Sequence, residues 1–279
     1  MKKALYLYGL TLWKHHATLE NVLGEGIKLL KHAGLVAVCR PCQHNEFDHT
    51  ESGSNADTSN RLHRSLLEQI KQHEIITQNV ISIGSFFPAR FATLYSTETA
   101  LLNFMYANHK AMIDFLESSE GYKEWAIKGY IQRTQAKNYL LAKELEAYGM
   151  TETAPGKRYV KEKQIALEVE KQLTPWLQMQ AEKVMVQLQA WGTDCIQRPL
   201  PAATQSEYQG ECFGNWAFLL ADDQVSQVQQ TLAQANQTNA AFGLSFVCTG
   251  PWALYSFSQQ VAIHNVQHDA PSRQASSSC

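Results

Sequence analysis

Hydrophobic residues near the start of the chain alternate between strand-like runs and a helical stripe. Lys3–Tyr8 and Leu35–Cys39 are apolar and β-prone, and Gly9 ends the first of these runs. Between them, apolar residues recur at helical spacing up to Gly34: Leu19, Val22, Leu23, Ile27 and Leu30. The pattern predicts a strand, an amphipathic helix and a second strand.

A further set of elements follows before position 120. The polar segment His44–Asp57 predicts a loop, and a short helical stripe comes after Ser59: Leu62, Leu66 and Ile70. Val80–Ile83 continues into the apolar stretch from Phe86, and both are predicted to be strand. A longer stripe predicts the next helix: Leu101, Met105, Met112 and Phe115. Residues 1–120 are therefore predicted to form one α+β domain, with its helices on one face of a sheet.

Residues 121–265 repeat this mixture and are predicted to form a second α+β domain. Between a strand that begins at Trp125 and a short strand near position 195, the region of about 133–191 predicts an antiparallel helical hairpin. Pro175 is expected to kink or interrupt this hairpin, because proline removes a helical hydrogen bond. Two further strands flank one helix, and the resulting order matches a ferredoxin-like plait with an enlarged first crossover. The polar tail, 266–279, is predicted to be disordered.

Composition and charge exclude several classes of protein. The 279 residues include 24 Lys and Arg against 26 Asp and Glu, for a net charge of −2, so binding to nucleic acid through phosphate neutralisation is not expected. No apolar run approaches the roughly 18 residues of a membrane-spanning helix, so no membrane partner is expected. The six cysteines are scattered without the spacing of a disulfide framework, which indicates a reducing cytoplasm.

One cluster of residues could carry chemistry. Cys39 and Cys42 form a C-x-x-C pair, and His44 and His49 follow closely. These four side chains could surround one zinc ion, or the cysteines could act in redox chemistry. The alternative is a strand cysteine followed by a loop cysteine, with no metal. No hydrolase, kinase or dinucleotide-binding motif occurs, so no catalytic residue is predicted.

The aromatic segment Thr249–Phe257 also admits two interpretations. Gly250-Pro251 is expected to end the last strand, and Trp252, Tyr255 and Phe257 follow it. These aromatic residues could plug one end of the second domain's core, or they could form an interaction patch. The plug is the interpretation favoured by burial preferences.

Five short motifs, taken together, identify a family resemblance. They are Leu5-Tyr6-Leu7-Tyr8-Gly9, Pro88-Ala89-Arg90-Phe91-Ala92-Thr93, Glu124-Trp125-Ala126-Ile127-Lys128, Ala217-Phe218-Leu219, and Gly250-Pro251-Trp252 with Tyr255-Ser256-Phe257. In this order and at these separations they resemble the signatures of the gas vesicle protein GvpF/GvpL family. Two departures are Ala92, where the family usually has Gly, and Ala253-Leu254, where Pro-Pro is common.

The resemblance implies a non-enzymatic accessory protein that takes part in gas vesicle assembly in the cytoplasm. It implies binding to the shell protein GvpA and to other accessory vesicle proteins, with no cofactor. It also implies an N-terminal ferredoxin-like domain and a C-terminal α+β domain with prominent helices. The residues it singles out, in structural or partner-binding roles, are Pro88, Arg90, Phe91, Thr93, Glu124, Trp125, Lys128, Gly250, Pro251, Trp252, Tyr255 and Phe257. The competing hypothesis is a metal-binding or redox regulator built on Cys39, Cys42, His44 and His49.

Overall fold

The computed structural model describes residues 2–47, 56–148, 155–191, 194–201 and 210–264. The chain divides into two compact units: Met1–Lys123 together with Trp252–Cys279, and Glu124–Pro251. Both units combine strands with helices, which confirms the predicted α+β class. The predicted tail, 266–279, and most of the predicted polar loop lie outside the described residues.

The first unit is built on a sheet of five strands. These are β1 (Lys3–Leu12), β2 (Lys28–His32), β3 (Leu35–Gln43), β4 (Phe86–Pro88) and β5 (Leu94–Tyr95). The strand order is β2-β3-β1-β4, and β5 also pairs with β1. Helix α1 (His16–Val22) connects β1 to β2, and helix α2 (Ala56–Ile81) connects β3 to β4. This is the β-α-β-β-α-β connectivity of a ferredoxin-like plait.

Helices cover both faces of this sheet, so the expectation of a single helical face is wrong. On one face, residues of α1 and α2 pack against Tyr6, Tyr8 and Val38 of the sheet. On the other face, helices α3 (Glu98–Ala107) and α4 (His109–Ser118) pack against Leu5, Leu7 and Ala37. Strand β1 is consequently buried along nearly its whole length, and β3 is buried from Leu35 to Cys39, since neither face of the sheet is open to solvent there.

Several predicted elements of the first unit differ from the structure. Strand β1 continues past Gly9 to Leu12, and the helix predicted over Leu101–Phe115 is divided into α3 and α4. The helix predicted to reach Leu30 ends at Val22, and β2 follows it, because Gly24 and Gly26 interrupt the helix and Gly26 adopts a positive φ of 89°. Val80–Ile83, predicted as strand, begins inside α2. Val80 and Ile81 are buried, but they fill the inward face of a helix and not a sheet.

The second unit is a four-stranded sheet of order β7-β8-β6-β9. The strands are β6 (Tyr122–Ile131), β7 (Cys195–Gln197), β8 (Glu211–Ala221) and β9 (Leu244–Trp252). Helices α5 (Arg133–Ala147) and α6 (Pro155–Gln189) follow β6, and α7 (Val225–Asn239) connects β8 to β9. The predicted order of elements in this unit therefore agrees with the structure.

Helices α5 and α6 form the predicted antiparallel hairpin. Lys137, near the start of α5, forms an ion pair with Glu170, whereas Tyr148, just after its end, lies beneath Lys161 of early α6. Pro175 does not interrupt α6, which runs unbroken for 35 residues. Its first half packs against α5 through residues such as Val169, and its second half packs on the sheet. Packing on both sides of the proline keeps the helix continuous.

The chain after Pro251 returns to the first unit. Strand β9 continues through the cis Gly250-Pro251 bond, so this pair does not end the strand as predicted. A short helix, α8 (Tyr255–Ser258), follows and belongs to the first unit. The predicted second domain, 121–265, therefore differs from the structural unit at its C-terminal end.

Candidate functional site

The Pro88–Thr93 motif folds against the opening strand. Pro88 lies opposite Gly9 in the β1–β4 pair, where a side chain on Gly9 would come within 2.4 Å of the Phe86 ring. The backbone N–H of Leu7 donates to the carbonyl oxygen of Thr93 at 2.9 Å, and the Thr93 hydroxyl donates to the Arg90 carbonyl at 2.6 Å. These contacts fix a tight loop beside β1. Arg90 itself is exposed, so it does not need the buried partner that an interior position would require.

A hydrogen-bonded chain of three side chains joins distant motifs of the first unit. The Tyr6 hydroxyl lies 2.6 Å from Nδ1 of His73, and Nε2 of His73 lies 2.8 Å from the Tyr255 hydroxyl. Tyr6 belongs to the opening motif and Tyr255 to the last motif, while His73 comes from the middle of α2. The backbone N–H of Ala92 also donates to the Tyr6 hydroxyl, at 3.4 Å.

Burial fixes the protonation state of this network. Loss of solvation lowers the pKa of His73 from 6.5 to about 4, so the imidazole is neutral at physiological pH. A neutral imidazole has one donor and one acceptor nitrogen, so it can bond to both tyrosine hydroxyls at once. Burial also raises the pKa of Tyr6, so its hydroxyl stays protonated. The network therefore holds structure and carries no charge of its own.

Aromatic rings surround the network and connect it to an ion pair. Phe47 stacks on Tyr6 with ring centroids 4.9 Å apart, and Phe91 of the Pro88–Thr93 motif lies edge-on to His73 at 5.8 Å. The Arg40 guanidinium lies 5.2 Å from the centre of the Tyr6 ring and forms an ion pair with Glu46. Neither Arg40 nor His73 carries a signal in the sequence, because their partners are far away in the sequence or in the polar segment.

The Glu124–Lys128 motif lies at the start of the second unit's sheet. Glu124 is buried, and its carboxylate accepts a hydrogen bond from Arg198 at 3.2 Å. Arg198 also donates to the side-chain oxygen of Asn215 at 3.1 Å. Trp125 points to the opposite, helix-covered face and joins its core, and Lys128 is half-buried. The motif therefore contributes one buried ion pair and one core anchor.

The last motif is divided between the two units. Gly250 approaches the Trp125 ring so closely that a Cβ would lie 2.9 Å from it, and Pro251 is half-buried. Trp252 is 38% exposed, whereas Phe257 is buried and Tyr255 joins the His73 network of the first unit. The predicted aromatic plug of the second domain's core is therefore wrong: Trp252 is exposed, and Tyr255 packs in the core of the first unit.

The proposed metal or redox cluster is not assembled in the described part of the chain. Cys39 and Cys42 lie three residues apart on β3 and face opposite sides of the sheet, as strand geometry requires. Burial raises the pKa of Cys39 to about 12, and it also raises the pKa of Cys42, so both thiols stay protonated. His49 lies outside the described residues. Among the described residues, no group of three or more potential ligands could hold a metal ion.

The hairpin presents apolar side chains to solvent. On α6, four such residues lie on the side turned away from the core: Val160 (56% exposed), Leu167 (68%), Met179 (50%) and Val186 (61%). They fall within an arc of about 120° on an ideal helix and extend over about 39 Å of its length. We call these four residues the outer stripe of α6. No described helix is long and apolar enough to cross a membrane.

Comparison with known proteins finds a matching family model and similar solved structures. A family model described as gas vesicle synthesis protein GvpL/GvpF matches residues 4–259. The chain is similar to the crystal structure of the gas vesicle protein GvpF from Anabaena sp. PCC7120, with a TM-score of 0.63 and 14% identity over 92% of this chain and 98% of that one.

It is also similar to the structure of GvpF from Microcystis aeruginosa, with a TM-score of 0.59 and 15% identity over 92% and 99% of the two chains. No curated protein matches the chain by sequence.

Proposed function

Because the chain belongs to the gas vesicle synthesis protein GvpL/GvpF family, we propose that it is an accessory protein of gas vesicle assembly. In this proposal it binds the shell protein GvpA through the outer stripe of α6, and it works in the cytoplasm together with other accessory vesicle proteins. Membership of the family supports the general role in gas vesicle assembly. The exposed apolar side chains of the hairpin are the single observation that supports the choice of α6 as the binding surface.

The outer stripe is more than α6 needs for its own folding. One apolar face already packs against α5 and the sheet, through residues such as Val169, Leu173 and Leu188. A helix that only supports a core has one such stripe and is polar elsewhere. Single exposed apolar residues are common. These four, however, lie on one side of the helix at intervals of 7, 12 and 7 residues, so one extended partner could contact them together.

The partner's chemistry matches this surface. A shell protein that lines a gas space must be very apolar, so its free subunits need protection from aggregation. A row of apolar side chains on a rigid helix can cover such a subunit by helix-in-groove packing. Charged neighbours, such as Lys171 and Glu182, keep the helix solvated when no partner is bound.

Co-purification with co-expressed GvpA tests this proposal. The double variant Leu167→Ser with Val186→Ser removes two of the most exposed apolar side chains. Each change is expected to cost more than about 1 kcal/mol of binding free energy, so the affinity for GvpA should fall by at least about thirtyfold. The matched control replaces two exposed glutamines of α6: Gln172→Ser with Gln187→Ser. It introduces the same serines and should retain GvpA as the wild type does.

Two outcomes would contradict the proposal. One is a folded wild-type chain that never retains GvpA. The other is a stripe variant that retains it as well as the glutamine control does. Circular dichroism and thermal unfolding of every variant must match the wild type, because only then does lost retention report on the surface and not on folding.

A further inference from the structure

The segment Trp252–His264 binds across the first unit as an almost separate peptide. It begins where β9 ends, forms the single turn of α8, and finishes beside α3 and α4. We call this segment the strap. It contributes side chains to the cores on both faces of the sheet: Ala253 and Tyr255 on the α2 side, and Val261 and Ile263 on the α3–α4 side.

One end of the strap is held by His73. The imidazole is 5% exposed, and its Nδ1 already bonds to the Tyr6 hydroxyl inside the unit. Its Nε2 is bonded to the hydroxyl of Tyr255 in the strap, at 2.8 Å. Without Tyr255, a buried nitrogen of the first unit would lose this partner, which is unfavourable.

The other end is held by Asn108, which is 2% exposed and lies between α3 and α4. Its side-chain amide donates to the His264 carbonyl at 3.1 Å, and its side-chain oxygen accepts from the His264 N–H at 2.7 Å. A single side chain thus bonds to both backbone groups of one residue. This arrangement recognises an extended peptide independently of its sequence at that position.

Apolar contacts lie just before and between these two polar anchors. Ala253, Leu254 and Phe257 of the strap are 1%, 3% and 9% exposed. Gln259 and Gln260, by contrast, point to solvent. The strap therefore alternates buried anchors with exposed residues, as a bound peptide ligand does.

We propose that the first unit is a peptide-binding domain whose site the chain fills with its own strap. The anchors for this ligand are His73 of α2 and Asn108 between α3 and α4, which belong to the unit's own framework. The covalent link serves mainly to keep the strap at a high local concentration, in the millimolar range for a short connection. The same peptide supplied in trans is then a competing ligand. This inference does not depend on the role in gas vesicles.

Cleavage of the full-length protein tests the proposal. A protease recognition sequence is inserted between Pro251 and Trp252, and the folded protein is then cut. The strap is expected to remain bound during gel filtration and to exchange with an excess of fluorescent peptide of sequence 252–264. A competing peptide with Tyr255→Phe should bind about tenfold more weakly, because it leaves Nε2 of His73 unsatisfied. A peptide with Gln259→Ala is the matched control and should compete normally.

Several results would overturn the proposal. They are immediate loss of the cut strap from a protein that still melts at the original temperature, no exchange with the labelled peptide, and competition by the Tyr255→Phe peptide or by a scrambled peptide that is as strong as competition by the unaltered peptide. If the insertion prevents folding, hydrogen exchange of the uncut chain supplies the test. In that case Asn108→Ala should speed exchange in the strap by about tenfold or more, and unchanged exchange would refute the proposal.

Discussion

At the scale of single residues, His73 makes stability depend on pH. Its pKa is about 4 in the folded protein because burial disfavours the charged form, and 6.5 is the value for an exposed imidazole. Between these values the unfolded chain binds a proton that the folded chain does not. Stability should therefore be constant above pH 6.5 on this account and fall as the pH drops towards 4, by about 3 kcal/mol in all.

Urea unfolding of the wild type and of His73→Gln, measured between pH 7.5 and 4, isolates this effect. Glutamine can still bond to the hydroxyls of Tyr6 and Tyr255, but it does not titrate. The variant should lose about 3 kcal/mol less stability over this range than the wild type loses. Equal losses in the two proteins would show that His73 does not control the acid response.

Ala92 gives a second prediction at this scale. It has a φ of 62°, in the left-handed region that costs an L-residue about 1–2 kcal/mol. Glycine adopts this conformation without that cost, although it makes the unfolded chain more flexible. Ala92→Gly should therefore raise the free energy of unfolding by about 1 kcal/mol in urea denaturation.

Ala142→Gly is the control for this experiment. Ala142 is exposed inside α5, where glycine should lower stability by about 1 kcal/mol. The two substitutions are chemically identical, but they should change the free energy of unfolding in opposite directions. A loss of stability in Ala92→Gly would mean that the left-handed conformation is not strained.

Sequence identified the motif residues but not the contacts they make. Tyr6, Glu124 and Tyr255 stood out because they belong to recognisable motifs. Their partners His73 and Arg198 carry no local signal, because Tyr6 and His73 are 67 positions apart and Glu124 and Arg198 are 74 apart. Such pairs depend on the folded topology and not on local periodicity.

At the scale of elements, the helical hairpin and the alternation of strands and helices followed from periodicity. The wrongly predicted elements are those where the local sequence pattern favoured one structure and glycines or core packing favoured another. Leu30 continued a helical spacing, but the glycines before it ended the helix and placed it in β2. Val80 and Ile81 are β-branched and adjacent, yet α2 extends through them because both contact the core.

Helix α6 shows the same competition at its proline. Pro175 lowers the intrinsic helix propensity, but buried contacts at Leu173 and Leu177 on either side hold the helix together. Tertiary packing therefore outweighs the local preference. The result is a continuous rod that can display the outer stripe over about 39 Å, which a broken hairpin could not do.

At the scale of the whole molecule, a boundary drawn from the sequence failed at one place. The structure divides between Lys123 and Glu124, and residues 252–264 return to the unit that begins the chain. No composition change marks this return, because the strap is as apolar as the core strand before it. The first unit therefore lacks part of its core until the chain is complete.

Complementation of vesicle formation tests the central claim most directly. In a gas-vesicle-forming host whose own gene for this chain is deleted, vesicles are counted by electron microscopy after each variant is restored. The account predicts few or no vesicles in the deletion strain, and recovery with the wild type and with Gln172→Ser/Gln187→Ser. It predicts no recovery with the Leu167→Ser/Val186→Ser variant at equal protein level. Normal vesicle formation without the chain, or full recovery with the stripe variant, would contradict it.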